Sequence, residues 1–266
     1  MMQVVQAGNG WLWLKQGAAL YRRDATGWLM LVLAFLMVSA AFNLIPVAGP
    51  FIASALLPGL SMGLMQACQD GQAGRALHPR LLFAALVHRT DDLLRMGLVY
   101  LAAMLVALAL AAPVDDGILL RQMLLGTAPA EEAVRDGRYL NALALSGLLA
   151  SPVLMCFWFA PMLLYWRGLG IAQSLFYSFF ATLRNWRVFA VYGLLLFCTV
   201  MLVSLAIASI GVSMGGTPAA MRGAMLALII LAMPVITASF YFSYQDIFPP
   251  PADLPASDEN PHTPQV

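Results

Sequence analysis

Charge is the scarcest property of this chain. Only 10% of its 266 residues are Asp, Glu, Lys or Arg, while 61% are hydrophobic. A soluble domain carries about 25% charged residues, so the composition argues against a water-facing globular surface. Histidine is nearly missing too: His78, His88 and His262 are the full set, and none falls in an apolar run. That removes the base a serine nucleophile needs inside a membrane. The cysteines, Cys68, Cys156 and Cys198, are odd in number and widely spaced. They offer neither a disulfide framework nor a metal-ligand pattern, so no metal and no cofactor is expected. A net charge of +1 with no isolated Lys/Arg block leaves no groove for nucleic acid.

Uninterrupted apolar sequence is what the chain has in its place. Windows near 27–45, 51–68, 96–112, 140–166, 188–210 and 223–244 approach or exceed the roughly 18 residues that span a bilayer core. Between the first two, Pro46-Val47-Ala48-Gly49-Pro50 cannot continue a helix and forms an uncharged turn. A polar connection over 113–138 is predicted to hold a short helix at 118–125. The long fourth window should bend at Pro152 or Pro161, and a Gly-rich turn over 211–222 joins the last two. Ser39-Ala40-Ala41 imitates a signal cleavage site, but the apolar run continues through it to Ile45, so the segment is expected to be retained.

Three stretches alternate differently. In residues 11–23, Lys15, Gln16, Ala19, Arg22 and Arg23 share one helical face, and Trp11, Leu14, Ala18 and Tyr21 share another. Such a split suits a helix lying in the membrane interface. Residues 77–95 repeat the theme, with Arg80, His88, Asp91, Asp92 and Arg95 opposing Leu82, Leu86 and Leu93. Residues 171–185 repeat it more weakly. The expected fold is an all-α membrane protein of six transmembrane helices, arranged as three hairpins, each preceded by an amphipathic interfacial helix. The transmembrane domain occupies 1–248, and 249–266 form an acidic, Pro-rich, disordered tail.

Basic residues set the orientation. Lys15, Arg22, Arg23, Arg75, Arg80, Arg89, Arg95, Arg167, Arg184 and Arg187 fall on one side, leaving Arg121, Arg135, Arg138 and Arg222 of the fourteen cations on the other. The richer side should be cytoplasmic, with both termini inside a bacterial inner membrane.

The pattern of amphipathic helix, span, turn, span occurs near 11–70, 77–166 and 171–246, which suggests an internal triplication. Pro58 and Pro234 lie 176 residues apart, and Gln69-Asp70 and Gln245-Asp246 keep the same separation. Asp70 and Asp246 are therefore expected at equivalent helix ends, meeting a lipid headgroup or partner, or anchoring the helix near water. An acidic group at a helix C-terminus opposes the macrodipole, which makes its repetition notable.

The stretch Ser239-Phe240-Tyr241-Phe242-Ser243-Tyr244-Gln245-Asp246-Ile247-Phe248 resembles the terminal Tyr-x-Ser-Tyr-(Arg/Gln)-Asp-Ile-Phe signature of an uncharacterised family of proteobacterial integral membrane proteins. The lead Gly8-Asn9-Gly10-Trp11-x-Trp13 is similar to that family's opening. Ile45-Pro46-x-x-Gly49-Pro50, Trp158-Phe159-Ala160-Pro161 and Leu183-Arg184-Asn185-Trp186 also look like family blocks. The resemblance implies an inner-membrane location and carries no assigned reaction, substrate or catalytic residue.

Candidate chemistry is sparse. Gly59-Leu60-Ser61-Met62-Gly63 matches G-x-S-x-G, but without a base Ser61 is a weak nucleophile. Gly59 and Gly63 are better read as a close-packing face for a membrane helix. Asp91 and Asp92, adjacent on a helix, point about 100° apart and do not converge on one atom. Pro152 and Pro161 could open a backbone site at midplane, though an ordinary kink accounts for them. No ionisable residue lies near a span centre, which disfavours ion-coupled transport.

The reading that results is a non-enzymatic envelope scaffold with no catalytic residue. Its partners would be membrane lipids and other envelope proteins or copies of itself. Lys15, Arg22, Arg23, Asp70 and Asp246 are its candidate contacts. A permease for a neutral or lipid-like substrate is the alternative, and an intramembrane enzyme the third.

Overall fold

The structure, a computed structural model, describes residues 2–45, 48–126, 131–213, 215 and 217–249. The expected tail from Pro250 onward, Pro46 and Val47 of the first turn, and the side chain of Asn43 lie outside the described residues. The described chain is helical and contains no strand. In order, the helices are α1 (Asn9–Arg23), α2 (Ala25–Asn43), α3 (Ala48–Gln72), α4 (Leu81–His88), α5 (Thr90–Ala111), α6 (Ile118–Leu125), α7 (Glu131–Arg135), α8 (Arg138–Phe157), α9 (Ala160–Arg167), α10 (Ile171–Arg184), α11 (Trp186–Ser213) and α12 (Pro218–Ile247). Six segments are long and apolar enough to cross a membrane: α2, α3, α5, α8 together with α9, α11 and α12.

Two boundaries differ from the sequence expectation for physical reasons. The stretch 77–95 is not one helix. Arg89 leaves helical geometry (φ −141°, ψ 50°), so α4 ends there and Asp91, Asp92 and Arg95 belong to the first turns of α5. The fourth span breaks at Trp158–Phe159, and Pro161 sits in the first turn of α9. Proline lacks an N–H and crowds the carbonyl four residues back, which is Phe157, the last residue of α8. Pro152, by contrast, is carried within α8. The break leaves backbone groups to satisfy, and in hydrocarbon no water can do so. Ser178 of α10 supplies both bonds: its hydroxyl oxygen accepts from the Phe159 N–H (2.8 Å) and its hydroxyl donates to the Met155 carbonyl (2.8 Å).

The two ends of the bundle differ in how much they bury. The near end carries α1, α4 and α10; the far end carries α6 and α7. Buried residues concentrate at the near end, among them Trp13, Trp28, Met62, Cys68, Leu82, Leu93, Met96, Phe159, Leu163, Tyr241 and Phe248. Helix α3 is central, with 56% of its most apolar window buried, whereas none of the corresponding window of α11 is. At the far end the carboxylate of Asp115, fully buried, accepts from the Leu119 N–H (2.7 Å) and fastens the start of α6. Nearby, the Arg138 backbone N–H and guanidinium hold the Asp136 carboxyl below the usual carboxylate range. This turn therefore keeps its ion pair under any mildly acidic condition.

Close packing at the near end depends on glycine. A Cβ on Gly63 would meet backbone of α4, 2.6 Å from Leu82 Cα, and one on Gly59 would strike the Leu86 side chain. The glycine face read from sequence is thus covered by the short helix α4, not by another span.

Candidate functional site

Of the candidate residues, Asp246 lies where the N-terminal segment meets the end of α12. Helix α1 turns Gly10, Trp13, Gly17 and Leu20 inward. That i, i+3, i+7, i+10 stripe puts two small residues beside α11 and α12. A Cβ on Gly17 would lie 2.6 Å from the Val235 carbonyl oxygen, and one on Gly10 would lie 3.1 Å from Tyr192. Trp13 fits between these glycines, against the rings of Phe189 and Tyr192.

Asp246 holds this arrangement. Its Oδ2 accepts from Asn9 Nδ2 (2.7 Å) and from Trp13 Nε1 (2.9 Å). Gln3 caps the end of α12, donating from Nε2 to the Asp246 carbonyl (2.6 Å) and from its backbone N–H to the Ile247 carbonyl (2.9 Å). Asn185 then grips the chain from below α10. Its Oδ1 accepts from the Val5 N–H (2.9 Å) and its Nδ2 donates to the Gln3 carbonyl (3.1 Å). On the opposite side, Arg167 donates to the carbonyls of Phe248 (2.7 Å) and Pro249 (2.8 Å), with its guanidinium over the Phe248 ring. A cation at a helix C-terminus satisfies its last carbonyls and complements its dipole. Around this polar cluster, Phe159 stacks on Phe240 and meets Phe248 edge-on, and Trp166 packs against Tyr241 and Tyr244.

Asp70 and Asp246 therefore sit in different surroundings. Among the described residues Asp70 pairs locally, with Arg75 at 2.6 Å on the loop that leaves α3. The helices that bear them do adjoin: Gln72 Oε1 accepts from the Tyr241 hydroxyl (2.9 Å) and from Gln245 Nε2 (3.0 Å). Lys15, Arg22 and Arg23 are exposed on the outer side of α1 and, among the described residues, have no carboxylate partner. Ser61 donates to the Pro58 carbonyl of its own helix (2.9 Å), and His78, on the loop before α4, and His88, the last residue of α4, are both exposed. Among the described residues no group of three or more His, Cys, Asp or Glu could hold a metal ion.

Sequence reasoning missed Asn9, Trp13, Ser178, Asn185 and Arg167 as partners. The motif blocks contained three of these five residues, Asn9, Trp13 and Asn185, yet nothing in one sequence says which block touches which. Periodicity along 171–185 also left open which face of α10 meets the bundle. Ser174, Ser178, Thr182 and Asn185 face the bundle, while Phe176, Leu183 and the adjoining Trp186 are exposed. In lipid, small hydroxyl residues permit close helix approach and bond backbone, so they belong inside.

The chain is similar to a probable inner membrane protein of Burkholderia thailandensis, 32% identical over 252 residues that cover 92% of each chain. No family model matches the chain, and no solved structure does either.

Proposed function

The chain belongs to the same family of inner membrane proteins as the Burkholderia thailandensis relative, and from that premise we propose that it is a non-enzymatic scaffold that grips anionic lipid headgroups at its near end. The observation that supports this most directly is the basic face of α1, which pairs with no carboxylate among the described residues. Lys15, Arg22 and Arg23 are exposed on a helix whose other side is clamped to α12 through Asp246. The clamp fixes the cations relative to the spans, so headgroup contact costs little further ordering. Exposed Trp11 and Leu12 add apolar surface for an interfacial seat. Each cation near an anionic surface is worth about 1 kcal/mol. In this reading the ending Tyr-x-Ser-Tyr-Gln-Asp-Ile-Phe marks the family because its Asp receives the opening Asn and Trp.

Changing Lys15, Arg22 and Arg23 together to Gln should lower co-purified phosphatidylglycerol, measured by native mass spectrometry, by at least about tenfold. Insertion of the spans should be unchanged. Equal lipid retention by both proteins would overturn the headgroup reading. Solute flux through reconstituted vesicles would instead favour the permease, for which the helix break ahead of Pro161 is the one structural argument.

The orientation belongs to the same proposal. With ten of fourteen cations at the near end, that end faces the cytoplasm and carries both termini. Reporter fusions after Gly71, Arg167 and Phe248 should read cytoplasmic, and fusions at 46–50, near Glu131 and near Gly215 should read periplasmic. A reversed or odd pattern defeats it.

A further inference from the structure

Above the packed near end the bundle encloses an apolar cavity of about 420 Å³, within the range of small-molecule sites. It lies among α3, α5, α8, α9, α11 and α12, at the level of Pro58 and the break before Pro161. The rim residues Leu57, Leu154 and Ile236 come from three different helices and are exposed, so the cavity opens sideways. At that depth its surroundings are bilayer hydrocarbon, not water.

The lining has a specific chemistry. It contains no Asp, Glu, Lys, Arg or His. Its polar groups are hydroxyls and one indole. Two of them are already engaged: Ser61 donates to Pro58, and the hydroxyls of Tyr192 and Ser239 bond each other. Two are free: among the described residues the hydroxyls of Tyr100 and Thr237 make no hydrogen bond. The indole N–H of Trp158 also has no acceptor, but it is enclosed by protein and presents no surface to the cavity. Trp158 is held by edge contacts with Phe189 and Phe240, and Tyr100 by Phe157. Donors without partners are costly in a water-free interior, and these two hydroxyls line one apolar cavity.

We infer that this cavity is a binding site for a neutral, ester-bearing hydrocarbon chain of the diacylglycerol type, entering sideways from the bilayer, its ester carbonyls taking the free hydroxyls of Tyr100 and Thr237. A phospholipid anion or a fatty-acid carboxylate fits poorly, because nothing in the lining would neutralise its charge. A plain alkane would leave the donors unpaired. This site is separate from the basic face of α1 and shares with the scaffold reading only the membrane setting.

The test uses the full chain in nanodiscs and a diacylglycerol carrying a photoreactive diazirine in one acyl chain. Labelling should saturate, map to residues near 57–65 and 154–162, and be competed by unlabelled dioleoylglycerol but not by dioleoylphosphatidylglycerol. Tyr100→Phe keeps the ring and removes the hydroxyl. It should weaken competition about tenfold, the loss of roughly one hydrogen bond, with the melting temperature unchanged. If that variant misfolds, Thr237→Val provides the same reading at the opposite wall. The Lys15, Arg22, Arg23 triple variant should label like the wild type, which separates this site from the headgroup site. Labelling that never saturates and spreads equally over the exposed face of α11 would mean ordinary boundary lipid and would overturn the inference, as would competition by the phospholipid alone.

Discussion

Asp246→Ala is expected to release α1 from the bundle, whereas Asp70→Ala is expected to change little. In Asp246 one carboxylate oxygen accepts two hydrogen bonds from residues more than 230 positions away. Truncation leaves Asn9 Nδ2 and Trp13 Nε1 without an acceptor. Trp13 is 1% exposed, so its indole cannot turn to water. Hydrogen bonds to charged groups contribute about 1.5–3 kcal/mol each, and the loss here should be about 3 kcal/mol after allowing for the half-buried carboxylate. At Asp70 the partner is the exposed Arg75, and such pairs are worth at most about 1 kcal/mol. Two measurements separate the cases. Thermal unfolding in detergent should shift strongly for Asp246→Ala and slightly for Asp70→Ala. Trypsin should cut after Arg22 and Arg23 much faster in the first, because local opening of α1 controls that cleavage. Equal behaviour of the two variants would mean that apolar packing alone holds α1.

Gly97→Ala should be among the most damaging single-methyl changes in the protein. A Cβ there would lie 2.6 Å from the carbonyl carbon of Ala55 and 2.9 Å from its Cα, and it would strike the Ala55 oxygen as well. These are backbone atoms of α3 and cannot swing aside, so α5 must move bodily. Overpacking costs about 1–3 kcal/mol in ordinary cores, and the upper end or more is expected here, with Gly63→Leu at least as severe. Gly59→Ala should be milder, since its obstacle is the flexible end of Leu86. Gly193→Ala is the control: it has open space around its Cβ position on α11, and replacing a helical glycine there should stabilise by about 0.5–1 kcal/mol. Melting temperatures across the four alanine and leucine variants, with expression yield, check the order. A Gly97→Ala protein as stable as the Gly193→Ala protein would show that α3 and α5 do not approach as closely as described.

Much of the fold was legible in residue order. Six apolar runs of spanning length gave the six helices, since a bilayer crossing needs a length of hydrocarbon-compatible sequence and little else. The helix at 118–125 was legible because Gly117 and Gly126 bracket it, and both take left-handed conformations (φ 75° and 70°). The split face of α1 was legible in part: Lys15, Arg22 and Arg23 share one exposed face, but the buried tryptophan is Trp13 and not the Trp11 assigned to the apolar face. Helical periodicity reports which residues share a face, not which face meets protein and which meets lipid.

That distinction marks what the sequence by itself determined and what only the tertiary structure decided. Composition and run length determined an all-helical membrane chain, because those depend on transfer of each segment into hydrocarbon taken alone. They also determined that no charged relay crosses its middle. The pairing of Asp246 with Asn9 and Trp13, the rescue of the Phe159 and Met155 backbone by Ser178, the inward turn of the α10 hydroxyls and the cavity beside Trp158 were decided by packing. In lipid, apolarity does not tell an inner face from an outer one, since the solvent is as apolar as the core. Close approach of small residues and the satisfaction of polar groups make that choice, and both require knowing which helix lies opposite.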